Sequence, residues 1–250
     1  MNITGNTIFI PGATSGIGLG LALRLQDKGN TVIVGGRRTE LLQQIAAKHP
    51  GLGTITVDTT DPASITTARN ELTTRYPALD TLITMAGIME PEDLRDPTSL
   101  DVAERTVEVN LLGPIRLINA FLPGLLAQPA ATVMTVSSGL AYVPLPATPT
   151  YNATKAAIHS FTESLRVQLF KSNVQVIELV PPATRTTLMN QQDSDVAMPL
   201  EDFLNEVMSL LKADPKAEQI LVERVKWQRN AEAEGRYADV LGVLSGRYRS

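Results

Sequence analysis

The 250-residue chain contains no cysteine, so disulfides, thiolate nucleophiles and thiolate metal sites are excluded, and a reducing compartment is permitted. Histidine is nearly absent as well. The two present, His49 and His159, are far apart, and neither belongs to a metal-like cluster, so no metal site is expected; packing, interface or capping roles suffice for both. Tryptophan occurs once, at Trp227, where core or interface packing is the simplest account. Excess positive charge is also missing: a formal net charge of -4 offers no basic field for phosphate backbones, which argues against nucleic acid as a partner. The N-terminal stretch "MNITGNTIFI" lacks a basic segment followed by a long apolar one, and no sequence run suggests a bilayer span. A cytoplasmic protein with no membrane partner is therefore expected.

What is present is the composition of a globular protein, 43% hydrophobic and 19% charged, in a length suited to one sizeable core. Short β-branched runs at 7–10, 31–34, 54–57, 79–84 and 132–136 are apolar almost throughout, as in parallel strands buried on both faces. Between them lie stretches with helical spacing. One covers 17–28 and stops at Gly29; another starts at Asp61 and Pro62; a third covers 100–122, with Pro114 as a kink and Pro123 as its end. A helix at 151–171 and a sixth strand at 174–180 follow the proline-rich loop "GLAYVPLPATPT". The alternation predicts an α/β fold over 1–250: a doubly wound parallel sheet of about six strands, helices on both faces, and a helical C-terminus without a seventh strand. The polar, aperiodic stretch 183–199 reads as a mobile flap, within a substrate-flap region set at 183–215.

Between the first strand and the first helix stands "PGATSGIG". Gly12, Gly16 and Gly18 let a backbone turn tightly and approach an anion, with Ser15 and Ile17 beside a helix start that offers free amides. The lysine and hydroxyl residue of a triphosphate loop are missing after Gly18, so a dinucleotide is favoured, although any tight strand-to-helix turn can use glycines. The second strand ends in "GGRRTE". No acid is there to hold ribose hydroxyls, and Arg37 with Arg38 suit a 2′-phosphate, or else form a solvated basic turn. NADP(H) is preferred on this reading, with NAD(H) possible. Asp58, closing the third strand, suits an adenine amino group or a local capping bond equally.

"TYNATKAA" puts Tyr151 and Lys155 one helical turn apart, on the edge where such sheets bind ligands. A phenol exchanges protons poorly at neutral pH unless a cation stabilises its anion, a role Lys155 can fill while holding a ribose hydroxyl. Ser138, at the end of the fifth strand, is placed to bind the same substrate oxygen. Leu140, Tyr142 and the flap complete an apolar pocket for a small carbonyl or alcohol.

"PGATSGIG", "LDTLITMAGI", "VEVN", "TVSSG" and "YNATK" occur in an order and spacing that resembles the short-chain dehydrogenase/reductase family over about three quarters of the chain. The resemblance implies a Rossmann sheet binding NAD(P), with Tyr151 as general acid/base, Lys155 lowering its pKa and Ser138 positioning the carbonyl. It further implies that Asn110 holds a water behind Lys155, that Asp58 meets the adenine, that Ala86 and Gly87 meet the adenosine ribose, and that Thr184 and Thr186 meet the carboxamide and diphosphate. Three residues depart from the family pattern: Pro11 for threonine, Met85 for asparagine and Pro182 for glycine. Without a seventh strand, a homodimer through the helices at 110–122 and 151–171 is expected. The opening "MNITGNT" and the C-terminal tail resemble, more narrowly, a bacterial oxidoreductase subgroup found beside genes of teichoic-acid D-alanylation. The rival reading, from a different class, is a dinucleotide-binding redox sensor that does not turn over; it would have no need of Ser138, Tyr151 and Lys155 together.

Overall fold

The computed structural model describes residues 1–246. Seven strands form one parallel sheet: β1 (Thr7–Pro11), β2 (Thr31–Gly36), β3 (Gly53–Thr56), β4 (Thr81–Thr84), β5 (Ala131–Val136), β6 (Val174–Leu179) and β7 (Gln219–Ile220), in the order β3-β2-β1-β4-β5-β6-β7. Successive side chains in a strand point to opposite faces, and because most strand residues are apolar or threonine both faces are buried. Ile8 and Ile10 of β1, with Val32 and Val34 of β2, face α1 (Gly16–Asp27), α2 (Thr39–Lys48) and α7 (Leu200–Ala213), while Phe9, Ile33, Leu82 and Val133 face α3 (Pro62–Arg75), α5 (Gly113–Leu126) and α6 (Pro149–Leu169). The strand order reverses at β1, whose neighbours are β2 and β4. The crevice this opens at the carboxyl edge is where such sheets hold ligands.

Several boundaries follow the sequence reading for its stated reasons. Asp61 caps α3, accepting from the Ala63 amide at 2.8 Å, with Pro62 in the first turn. Four expectations need correction. A seventh strand exists: the Val180 amide bonds the Ile220 carbonyl, and Ile220 is buried. Two residues are too short to show a period of two, so the charges around them read as helix. After residue 213 the expected helical C-terminus is instead β7, α8 (Glu223–Arg229) and α9 (Tyr237–Leu244). Pro123 lies inside α5, which runs on to Leu126. The region 200–213 belongs to α7, whose Phe203, Leu204, Val207 and Leu211 are buried in the core, so only the loop before it covers the cavity.

The helical run Ser99–Leu126, made of α4 (Ser99–Val107), a π-helical turn (Glu108–Leu112) and α5, has the length and apolarity of a membrane span. No such run was apparent from the sequence. Its Leu117, Ile118, Phe121 and Leu125 pack into the core on one face of the sheet, which accounts for much of that apolarity.

Candidate functional site

A cavity of about 1450 Å³ opens along the carboxyl edge of the sheet. Gly12, Ser15, Gly16, Ile17 and Gly18 line one end; Gly87, Ser138, Leu140, Tyr151, Lys155, Thr184 and Thr186 line the middle. Cavities for one small ligand hold roughly 300–1,000 Å³, so this one has room for a dinucleotide and a second molecule.

The glycine loop is shaped by what it lacks. Gly12 has φ +86°, and a Cβ there would sit 2.3 Å from the Ala86 Cα, so this loop and the one after β4 can meet only because residue 12 is bare. Ala86 therefore lies behind Gly12 and outside the cavity. Ser15 caps α1 with extended backbone and without a side-chain bond to the helix, which leaves its hydroxyl and the first amides of α1 facing the space. That arrangement fits a diphosphate. Beyond the loop, Arg37 and Arg38 are exposed, and Arg38 Nη2 reaches Thr14 Oγ1 of the glycine loop at 3.4 Å. Burial pushes the Asp58 carboxyl up, but bonds from the Thr60 amide and hydroxyl, together with the Arg37 charge, hold it below its ordinary value. Arg37, Arg38 and Asp58 thus gather beside the loop, outside the cavity proper.

At the centre, Tyr151 and Lys155 are 7% and 6% exposed, successive on one face of α6. Burial raises the phenol to about 12, while the Ser138 hydroxyl beside it pulls the other way. Burial lowers the Lys155 ammonium to about 8; its Nζ donates to the Val136 carbonyl at 2.8 Å and lies 5.5 Å from the centroid of the Tyr151 ring. Burial thus works against both charged forms, the phenolate and the ammonium beneath it. Ser138 Oγ accepts from the Leu140 amide at 3.1 Å, closing a short turn that aims its hydroxyl into the cavity.

Two predicted residues lie outside the cavity lining and bond to the protein itself. Asn110 sits in the π-helical turn with both ends of its carboxamide bonded to the Ile88 backbone, at 2.8 Å each. It braces the turn holding Gly87, near Lys155 Nζ, and the water-holding role implied by resemblance finds its amide already engaged. Tyr142 turns away from the cavity. Its hydroxyl meets His159 Nδ1 at 3.1 Å and the wholly buried Glu178 at 3.4 Å, and accepts from Gln219 at 3.0 Å, while the Arg229 guanidinium lies 4.6 Å above its ring. Burial and the Glu178 charge push the Tyr142 phenol upward.

The flap is pinned at its base by the Thr184 and Met198 bridge and by Arg185 Nε to the Ser194 carbonyl. Thr184 Oγ1 donates to the Pro182 carbonyl, and Thr186 lies against Gly16; both line the cavity with Ser138, Tyr151 and Lys155. The far end of the cavity is walled by residues the sequence did not single out for it, among them Met89, Leu145, Trp227, Gln228, Val243 and Leu244. The heptad-free C-terminal sequence carries no signal that would have placed them there.

Residues 6–197 match the family described as short chain dehydrogenase. The chain belongs to that family. Among short-chain dehydrogenases it is 37% identical over 238 residues to the uncharacterized oxidoreductase DltE of Bacillus subtilis (strain 168), covering 92% of this chain and 93% of that one. This places it in the subgroup its termini resemble. In fold it is similar to a short chain dehydrogenase from Burkholderia cenocepacia J2315 solved in complex with NADP, at a TM-score of 0.81 and 24% identity over 100% of both chains. It is also similar to 3-ketoacyl-(acyl-carrier-protein) reductase from Brucella melitensis complexed with NADH, at a TM-score of 0.76 and 24% identity over 87% of this chain and 94% of that one. As a short-chain dehydrogenase it is an oxidoreductase whose family segment holds the glycine loop, Ser138, Tyr151 and Lys155.

Proposed function

We propose that the protein is an NADP(H)-dependent oxidoreductase interconverting a carbonyl and a secondary alcohol on a small molecule, with Tyr151 as the proton-transfer group. The observation that carries this reading is a buried phenol at about 12 facing the same cavity as an anion-binding glycine loop, with the Ser138 hydroxyl beside it. A bound nicotinamide dinucleotide would supply or accept the hydride. On reduction, Tyr151 Oη gives its proton to the substrate oxygen, and Ser138 Oγ donates a hydrogen bond that fixes the same oxygen. A phenol raised by burial gives up its proton readily only where a cation stabilises the anion left behind. Lys155, under the Tyr151 ring, offers a charge that stabilises the phenolate left behind. Selectivity for a 2′-phosphate is supported by Arg37 and Arg38 beside the loop, by the absence of an acid at the end of β2, and by the NADP bound in the Burkholderia relative. A homodimer through the helices at 110–122 and 151–171 is supported by Val167 and Phe170, 77% and 82% exposed near the end of α6.

The deciding experiment is Tyr151→Phe. Turnover of carbonyl substrates should fall by about three orders of magnitude or more while dinucleotide binding, read by thermal shift, persists. Unchanged turnover would reject the mechanism, and a wild-type protein that binds dinucleotide without reducing or oxidising any substrate would make it a sensor.

A further inference from the structure

The cavity lining mixes apolar residues with polar ones, Arg224 and the flap's Asn190 and Gln191 among them. Leu145, Trp227, Val243 and Leu244 present carbon, and among them sits the carboxamide of Gln228, on α8. The residue is 7% exposed and borders the cavity, yet no described residue hydrogen-bonds its side-chain amide. Its amide is therefore open to the cavity and free to bind what enters it. Its position is not accidental to the packing. Gln228 Oε1 lies 2.5 Å from where a Cβ on Gly139 would be, so the amide occupies the space that a bare residue 139 leaves, directly after Ser138 in the chain.

The helix that carries it is held from both sides. Arg229, the next residue, donates to Gln219 Oε1 at 3.2 and 3.1 Å and stacks on Tyr142, while Gln219 Nε2 bonds Glu178 at 2.6 Å. Val225, on the inward face of α8, is fully buried. The network behind the site thus fixes α8 against the turn bearing Ser138, and a side chain fixed so closely is suited to reading what a substrate carries next to its reacting carbon.

We infer that Gln228 is a specificity-determining residue whose amide binds a second oxygen on the carbon adjacent to the reacting carbonyl, making α-hydroxy ketones and vicinal diketones with an alkyl tail the substrate class. This rests on the oxidoreductase reading above. The amide is neutral and offers both a donor and an acceptor, which complements a hydroxyl or ketone oxygen better than a carboxylate, and the apolar wall takes the alkyl tail. In the reduction, hydride from the reduced dinucleotide adds to the carbonyl carbon, the π bond opens onto oxygen, and that oxygen takes the Tyr151 proton; the neighbouring oxygen keeps its bonds and is held by Gln228.

The test compares 2,3-heptanedione and 3-hydroxy-2-heptanone with 2-heptanone in wild type and Gln228→Met, using the full chain with NADPH. Trp227, the only tryptophan, lines the same wall, so its fluorescence reports binding of each probe without turnover. Gln228→Met should lower kcat/KM for both oxygenated probes by about tenfold or more and weaken their effect on Trp227 fluorescence, with 2-heptanone changed by less than about twofold. If that variant does not fold, Gly139→Ala, whose new methyl displaces the amide, should give the same selective loss. Equal losses on all three probes, or no loss on any, would overturn the inference, as would a wild-type preference for 2-oxoheptanoate, which would move recognition to Arg224 at the rim. Absence of turnover with every probe, while the diketone still alters Trp227 fluorescence in wild type and not in Gln228→Met, would reject the oxidoreductase reading and keep Gln228 as the binding residue. Neither turnover nor fluorescence change would reject both.

Discussion

Glu178 is fully buried on β6, and its carboxylate has collected partners: His159 Nδ1 at 2.9 Å from one oxygen and 3.1 Å from the other, and Gln219 Nε2 at 2.6 Å. Burial raises its pKa, but the bonds from His159 and Gln219 outweigh that and hold it below the ordinary 4.5, while His159 is raised above 6.5, chiefly by its bond to Glu178 and against its own burial. The signs are opposite in kind. The depressed acid contributes stability that is present above about 4.5 and lost as pH falls through its lower folded value; the raised base contributes stability present below about 6.5 and lost as pH rises through its higher folded value. The pair therefore stabilises most in the window between them. Glu178→Gln keeps the volume and removes the charge, exchanging charge-assisted bonds for ordinary ones, so it should cost about 1.5–3 kcal/mol at pH 5.5, and less at pH 9 as rising pH passes through the raised His159 value. In a chain of this size the larger cost corresponds to roughly 3–10 °C in melting temperature. Urea unfolding of wild type and variant at the two pH values measures the difference and cancels other titrating groups. An equal cost at both would refute the claim that Glu178 holds His159 charged, and a more stable variant at pH 5.5 would show that desolvation of the carboxylate dominates.

Gly12→Ala should lower stability by more than about 3 kcal/mol and abolish dinucleotide binding, because the new methyl meets the Ala86 backbone and the left-handed φ is strained; a melting temperature within about a degree of wild type would contradict the packing. Arg37→Ala and Arg38→Ala should each weaken NADPH binding by about tenfold with NADH little changed, read by thermal-shift titration at fixed salt, and a parallel loss for both dinucleotides would remove the basis for 2′-phosphate selectivity. Lys155→Met should stop turnover yet raise stability at pH 7 by up to about 3 kcal/mol, since an ammonium whose pKa falls from 10.5 to about 8 on folding opposes folding below pH 8, less so between the two values, and not at all above 10.5. A variant less stable than wild type at pH 7 would show that the bond to Val136 outweighs the burial.

The sequence was most legible where one physical demand dictates several residues at once. Strands buried on both faces are mostly apolar and β-branched, and the six longer ones show it; β7 escaped because two residues carry no period. The glycine loop, Ser138, Tyr151 and Lys155 were legible because anion binding and proton transfer restrict residue type at fixed spacing, and all of them line one cavity. Tyr142 and Gln228 show the limit. Both are polar residues near the site in sequence or in space, but which one faces the cavity depends on a network joining α6, β6, β7 and α8, elements as far along the chain from Tyr142 as Arg229. Pairings at that range leave no local pattern to read.

The three departures from the family pattern share a physical outcome. Pro11 ends β1 with its carbonyl accepting from the Met85 amide at 3.3 Å, so its missing N–H faces β4, and the β1–β4 ladder stops at Phe9 while the β1–β2 ladder continues to Pro11. Met85 puts its side chain within 2.8 Å of where a Gly18 Cβ would be, filling the space under the loop with a flexible apolar chain instead of an amide. Pro181 accepts from the Gly139 amide at 2.9 Å and Pro182 from the Thr184 hydroxyl at 3.0 Å, tying the Ser138 turn and the flap base to one rigid pair. Polar bracing around the loop has been exchanged for packing and stiff backbone. Because neither depends on protonation, the rigidity of the glycine loop should not vary with pH, whereas the Ser138 turn, packed against α8, is tied to the titrating Glu178–His159 pair through Gln219 and Arg229.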